Sequence, residues 1–161
     1  MKCYVDSSYD LKKGVAGIGI VIENGEKQRI ISNWIPCNSN NYGELWAIYI
    51  AAILTSGQAT IYTDSECALA YLENRINYDR PRTQAQYIEH QKMRVLAYKV
   101  RKLNPTVKKV KAHTKQIKFL EIGNAMADLC AQNGRAKFYS QINSKGVLSL
   151  YLKKTKSKSL T

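Results

Sequence analysis

The nine residues Val15 to Glu23, VAGIGIVIE, are apolar at almost every position. A short run that offers no polar face reads as a strand covered on both sides, central in a sheet that lies between two layers. Gly17 and Gly19 inside it predict close approach of a neighbouring element. Asn24-Gly25 follows, and then a second strand-like run from Gln28 to Pro36. Asn-Gly between two such runs is a strong hairpin signal. With Lys2 to Ser8 as a strand ahead of them, the first three strands are expected to be antiparallel neighbours.

The chain then changes period. After the polar loop Asn38 to Asn41, residues Tyr42 to Ser56 are long enough for a helix and apolar nearly all round, which predicts a buried one. Gly57 ends it. Ala59 to Thr63 reads as a short strand and Ser65 to Asn74 as a helix. Strand, helix, strand, helix implies parallel pairing and an α/β class. Ile76 to Thr83 is expected to be a loop. Gln84 to Leu103 is expected to be a helix with Met93, Leu96, Ala97, Val100 and Leu103 on one stripe, stopped by Asn104-Pro105. Val107 to Ala112 reads as a strand with one wet face, His113 to Leu120 as a polar loop, and Glu121 to Gln132 as a helix with Asn133-Gly134 as its C-cap. Beyond Gly134 the pattern weakens. Val147 to Leu152 is a strand or a short helix, and Lys153 to Thr161 a disordered basic tail by composition.

Charge narrows the function. The 161 residues carry 25 Lys+Arg against 12 Asp+Glu, a net +13. That balance favours a polyanionic partner, nucleic acid first. The 45% hydrophobic content suits one core of ordinary size. Cys3, Cys37, Cys67 and Cys130 form no CxxC pair and have no histidine at zinc-finger spacing, so they read as buried thiols in a reducing compartment. Asp6 and Asp10 interrupt any signal-peptide pattern, and Leu45 to Leu54 is far short of the ~20 apolar residues that span a bilayer. A cytoplasmic location with no membrane partner is expected.

Four acids stand out against this basic background. Asp6 lies in the first strand, Glu44 in the first turn of the buried helix, Asp64 at the end of the fourth strand, and Asp128 on the last helix. Each has an ordinary alternative: a strand-end turn, half of a cap with Asn41, an N-cap at Asp64 within Thr63 to Glu66, and a solvent-facing helix residue. Taken together they fall where an α/β sheet gathers functional groups, at the carboxyl ends of central strands. Carboxylates crowded at one point repel and raise each other's pKa unless a cation joins them. Hard divalent ions with oxygen ligands, Mg²⁺ first, serve that purpose and keep positions open for phosphate oxygens. A two-metal phosphodiester hydrolase accounts for both charges, with lysines on the backbone and carboxylates on the metals.

The order Asp6, Asn40-Asn41-x-x-Glu44-Leu45, Thr63-Asp64-Ser65, His113, Asn124-x-x-x-Asp128 resembles type 1 ribonuclease H over roughly residues 1 to 134. The resemblance implies a five-stranded mixed sheet flanked by helices, three antiparallel strands and then parallel ones. It implies a catalytic domain over residues 1–138 and an extension with a basic tail over 139–161. The implied activity is endonucleolytic hydrolysis of the RNA strand of RNA–DNA hybrids, giving 5′-phosphate and 3′-hydroxyl ends. Two Mg²⁺ ions, with Mn²⁺ as a substitute, would be held by Asp6, Glu44, Asp64 and Asp128, and His113 would assist proton movement or product release. Asn40 and Asn41 match groups that read the hybrid's minor groove, Ser39 one that holds a DNA phosphate, and Asn124 one near the second metal. Ser7 and Ser8 add short polar groups suited to the 2′-hydroxyl, the constant mark of RNA. A basic stretch containing Lys108, Lys109, Lys111 and Lys115 is expected to bind the hybrid. No small-molecule cofactor and a monomeric state are expected.

The chain departs from that family in places. Asp-Gly-Ser appears as Asp6-Ser7-Ser8, a frequent Gln after Asp-Ser is Glu66, and the His113-to-Asp128 interval is longer. The basic handle region with its Trp is not recognisable, and no counterpart is apparent beyond Gly134. The rival readings are a nuclease of the same fold acting on DNA or branched junctions, a catalytically silent hybrid-binding module, and a fold-alike that binds protein partners.

Overall fold

A computed structural model describes residues 1–76, 83–110 and 119–157, with side chains described over 1–76, 83–110 and 122–142. The elements run β1 (Lys2–Asp10), β2 (Val15–Asn24), β3 (Lys27–Pro36), α1 (Asn40–Leu54), β4 (Thr60–Thr63), α2 (Glu66–Leu72), α3 (Gln84–Lys102), β5 (Thr106–Lys109) and α4 (Phe119–Ser157). The five strands form one sheet in the order β3-β2-β1-β4-β5. β1 and β3 each pair antiparallel with β2, and β1-β4 and β4-β5 pair parallel. The α/β class and the mixed five-stranded sheet are as expected. The Asn24-Gly25 hairpin forms, with Asn24 opposite Lys27 and Gly25 at φ 62°.

Alternation along the strands sorts residues onto two layers. Cys3, Val5, Ile18, Ile20 and Ile22 point to the side of α1 and α3, where they meet Leu45, Ile48, Ala51, Met93, Leu96 and Val100. Tyr4 and Val21 point the other way and meet Ala127 and Cys130 of α4. Gly17 and Gly19 share that second face. A Cβ on Gly17 would stand 1.9 Å from the Ala131 carbonyl oxygen, and one on Gly19 would stand 1.9 Å from that of Ala127. The helix backbone therefore rests directly on β2, and no larger residue fits beneath it.

The last helix corrects two expectations. α4 does not stop at Asn133-Gly134 but continues to Ser157, so Val147 to Leu152 and the start of the supposed disordered tail are helical. Gly134 is needed for proximity rather than termination: a Cβ there would come 2.0 Å from the Asn33 carbonyl oxygen. The next two turns are held on the sheet by side chains. Arg135 donates to the Tyr9 carbonyl at 3.4 Å, Lys137 to that of Ser32 at 2.6 Å, and the Tyr139 hydroxyl to Asp10. Trp34 meets Phe138 edge-on and donates to Gln141 at 3.0 Å. β5 ends earlier than expected, at Lys109, with Val110 N–H still bonding the Thr63 carbonyl at 2.9 Å.

All four cysteines are free. Burial pushes the Cys3 thiol up to about 12, which makes it unreactive. Cys67 is only half-buried, the others fully. No helix of the described residues is long and apolar enough to cross a membrane.

Candidate active site

Three of the four expected acids converge. Asp6, Glu44 and Asp64 each offer a carboxylate oxygen, and these atoms lie within 4.8 Å of one another. Each is delivered by a different element. Asp6 sits on β1 opposite Gly19 of β2. Asp64 follows the last residue of β4, the parallel neighbour of β1. Glu44 occupies the start of α1, whose entry is set by Ser39: its hydroxyl accepts from Tyr42 N–H at 3.2 Å.

Local capping leaves the acids available. The N-cap of α2 is Ser65, which accepts from Ala68 N–H at 3.2 Å, while Thr63 Oγ1 accepts from Ser65 N–H at 3.1 Å. Asp64 is thus not the cap, and Thr63 with Glu66 does not form a capping box. Likewise Ser39, not Asn41 with Glu44, caps α1.

The electrostatics are those of carboxylates crowded together. Burial, then the charge of Asp64, raises the Asp6 carboxyl from 3.8 to about 7, and Asp128 adds to the push. Burial, then the charge of Asp6, drives Glu44 well above its ordinary value. Glu44 Oε2 and Asn124 Oδ1 are buried with no N–H or hydroxyl donating to them. Buried polar oxygens left without a donor beside crowded carboxylates cost stability. The donor set is all oxygen, which suits a hard divalent cation, so these residues fit such an ion.

α4 supplies the fourth side. A Cβ on Gly123 would collide with the Tyr4 ring at 2.5 Å, so the glycine lets the helix settle over Tyr4, which stacks on Tyr62. The following Asn124 reaches Asp64 with Nδ2 3.4 Å from Oδ2. Asp128 stands apart from the group of three, and its Oδ1 accepts from Gln132 at 3.0 Å.

The remaining expected residues are distributed unevenly. Asn40 and Asn41 are exposed at the start of α1, and Ser8 is half-buried. Ser7 is buried, and its hydroxyl donates to Glu44 Oε1 at 3.0 Å. Lys108 is exposed on β5. Lys109 is bound by Glu66 at 2.5 Å, and Arg75 holds the same carboxylate at 2.9 Å. Those partners were missed by sequence reasoning, because they are 43 and 9 residues from Glu66. His113, Lys111 and Lys115 lie outside the described residues. Two clefts lie around Arg101, one of about 310 Å³ between α2, α3 and β5 and one of about 410 Å³ between α2 and α3, and neither is lined by Asp6, Glu44, Asp64 or Asp128.

Comparison with known proteins agrees with this geometry. No curated relative matches by sequence. The fold is similar to that of RNase H1 from the halophilic archaeon Halobacterium salinarum NRC-1, with a TM-score of 0.60 and 16% identity over 84% of this chain and 97% of that one. It is also similar to the protease-reverse transcriptase of prototype foamy virus, with a TM-score of 0.56 and 22% identity over 82% of this chain, which spans 20% of that protein. The family model for RNase H matches residues 1–136. This chain therefore belongs to the RNase H family and is a ribonuclease H enzyme.

Proposed function

We propose that the protein is a divalent-metal-dependent endonuclease that hydrolyses the RNA strand of RNA–DNA hybrids, leaving 5′-phosphate and 3′-hydroxyl ends. The observation that carries this reading is the convergence of Asp6, Glu44 and Asp64 within 4.8 Å in a chain of net charge +13. Like charges crowded at one point in a basic protein serve no folding purpose. They suit a site that meets cations and a phosphodiester.

Asp6, Glu44 and Asp64 would together hold the divalent ions. Asp128 would join them once its carboxylate turns from Gln132. Bound Mg²⁺ would supply the Lewis acidity that phosphodiester hydrolysis needs, with Mn²⁺ as a substitute. The protein's own groups orient the strand. Asn40 and Asn41 are exposed beside Glu44 and can donate to minor-groove edges and 2′-hydroxyls. Ser39 uses its hydroxyl oxygen as a cap acceptor, which leaves its proton free to donate to a phosphate. Lys108 offers charge to the backbone, and Asn124 steadies Asp64. Reading sugar and backbone rather than base edges gives little sequence preference.

The test is cleavage of a labelled hybrid with Mg²⁺, beside RNA and DNA duplexes of the same sequence and an Asp64→Asn variant. Cutting of the hybrid's RNA strand alone, lost in the variant, is the expected result. Cutting of DNA duplex or branched DNA, or activity surviving in Asp64→Asn, would overturn the assignment.

A further inference from the structure

Ser7 stands where the family resembled by this chain has glycine, and the structure gives it a specific partner. Its hydroxyl lies 3.0 Å from Glu44 Oε1 and 3.4 Å from the Asn40 carbonyl oxygen. A hydroxyl has one proton, and the shorter bond, to a carboxylate, is the stronger when Glu44 is ionised. Both residues are buried, Ser7 at 8% and Glu44 at 5% exposure, so water does not compete for the bond. The neighbourhood is shaped around the serine. A Cβ on Gly43 would stand 2.8 Å from Ser7 Oγ and 3.2 Å from Ser7 Cβ, so a side chain at 43 would displace it.

The bond also divides the Glu44 carboxylate into two unlike oxygens. Oε1 is satisfied by Ser7, while Oε2 is buried with no N–H or hydroxyl donating to it, and the Glu44 carboxyl lies close enough to that of Asp6 for the pair to share a proton. We infer that Ser7 is a positioning residue, whose hydroxyl locks the Glu44 carboxylate so that Oε2 is held for the cation gathered with Asp6 and Asp64. This rests on the metal-dependent reading above and deepens it: in this chain, unlike one with glycine after the first aspartate, a side chain on β1 orients the ligand on α1. Without the hydroxyl, Oε1 loses its donor and the terminal torsion of Glu44 is released to rotate. Groups that orient a metal ligand typically govern metal affinity by about 10- to 100-fold.

The test uses the full chain without nucleic acid. Mn²⁺ binding is measured calorimetrically on the parent, Ser7→Ala and Ser7→Thr, with metal-free melting recorded for each. Ser7→Ala is expected to weaken Mn²⁺ binding by about 10-fold or more, whereas Ser7→Thr, which keeps the hydroxyl, stays close to the parent. A purely structural serine would move the melting temperature and leave the Mn²⁺ affinity alone. Undiminished binding by Ser7→Ala, or binding by a folded Ser7→Thr as weak as that of Ser7→Ala, would overturn the role of the hydroxyl while leaving the metal site intact. A parent that takes up no Mn²⁺ would overturn the metal-dependent reading itself, and the inference with it.

Discussion

Asp6 and Ser7 are neighbours in β1 and must face opposite layers of the sheet. Asp6 shares the side of Tyr4 and α4, and Ser7 that of Val5 and α1. The convergence of Asp6, Glu44 and Asp64 was legible in the sequence, because carboxylates on adjoining elements are out of place in a chain of this charge, whereas Asp128 stands outside that group. The partner of Ser7 was not legible, although strict alternation would have sent it toward the helix that carries Glu44. The raised Asp6 carboxyl also has a measurable consequence. A carboxylate whose pKa rises from 3.8 to about 7 on folding is better protonated in the native state, so stability is lost as pH climbs between those values. In chelator, the parent is therefore expected to melt at a lower temperature at pH 8 than at pH 5. Asp6→Asn should shrink that difference and abolish cleavage. Melting curves at the two pH values check this, and an unchanged difference in the variant would remove Asp6 as its source.

Among the elements, the hairpin, the buried helix and the parallel pair announce themselves through local signals: an Asn-Gly turn, an apolar run too long for a strand, and the alternation of strand with helix. The course of α4 did not. Asn133-Gly134 has the composition of a helix stop, but Gly134 answers to β3, a hundred residues away in sequence, and no local pattern reports that contact. The same close seating makes α4 a lever on the site, since Ala127 rests on Gly19 and the next residue is Asp128. Gly19→Ala forces the helix backbone off the sheet. Overpacking of this kind typically costs ~1–3 kcal/mol, and here it would also carry Asp128 and Asn124 away from Asp6 and Asp64. Urea unfolding should show the loss, and Mg²⁺-dependent cleavage should fall with it. A variant of parental stability and activity would mean that α4 is not seated by this contact.

For the molecule as a whole, charge is sorted rather than merely abundant. The acids that converge are buried or half-buried, whereas exposed Glu66 carries its own cations in Lys109 and Arg75, which hold its carboxyl below the ordinary value. Hybrid binding should weaken steeply with salt as counterions are retained on the phosphates. Glu66→Gln frees Lys109, while Arg75 keeps its pair with Glu73, so the variant is expected to tighten hybrid binding and steepen its salt dependence without shifting the melting temperature, because exposed ion pairs contribute little to folding. Binding titrations at several salt concentrations check both statements, and an identical slope in the variant would show that Lys109 does not reach the phosphates.

The turns of α4 after Gly134 also guard against self-association. β3 is one of the two edge strands of the sheet, ten residues long and paired on one side. Lys137 occupies the Ser32 carbonyl, and Phe138 and Gln141 hold the Trp34 ring. A long uncovered margin of this kind invites a strand from another molecule. A chain cut after residue 134 would keep Asp6, Glu44, Asp64 and Asp128, yet light scattering should find it aggregating where the intact protein stays monodisperse.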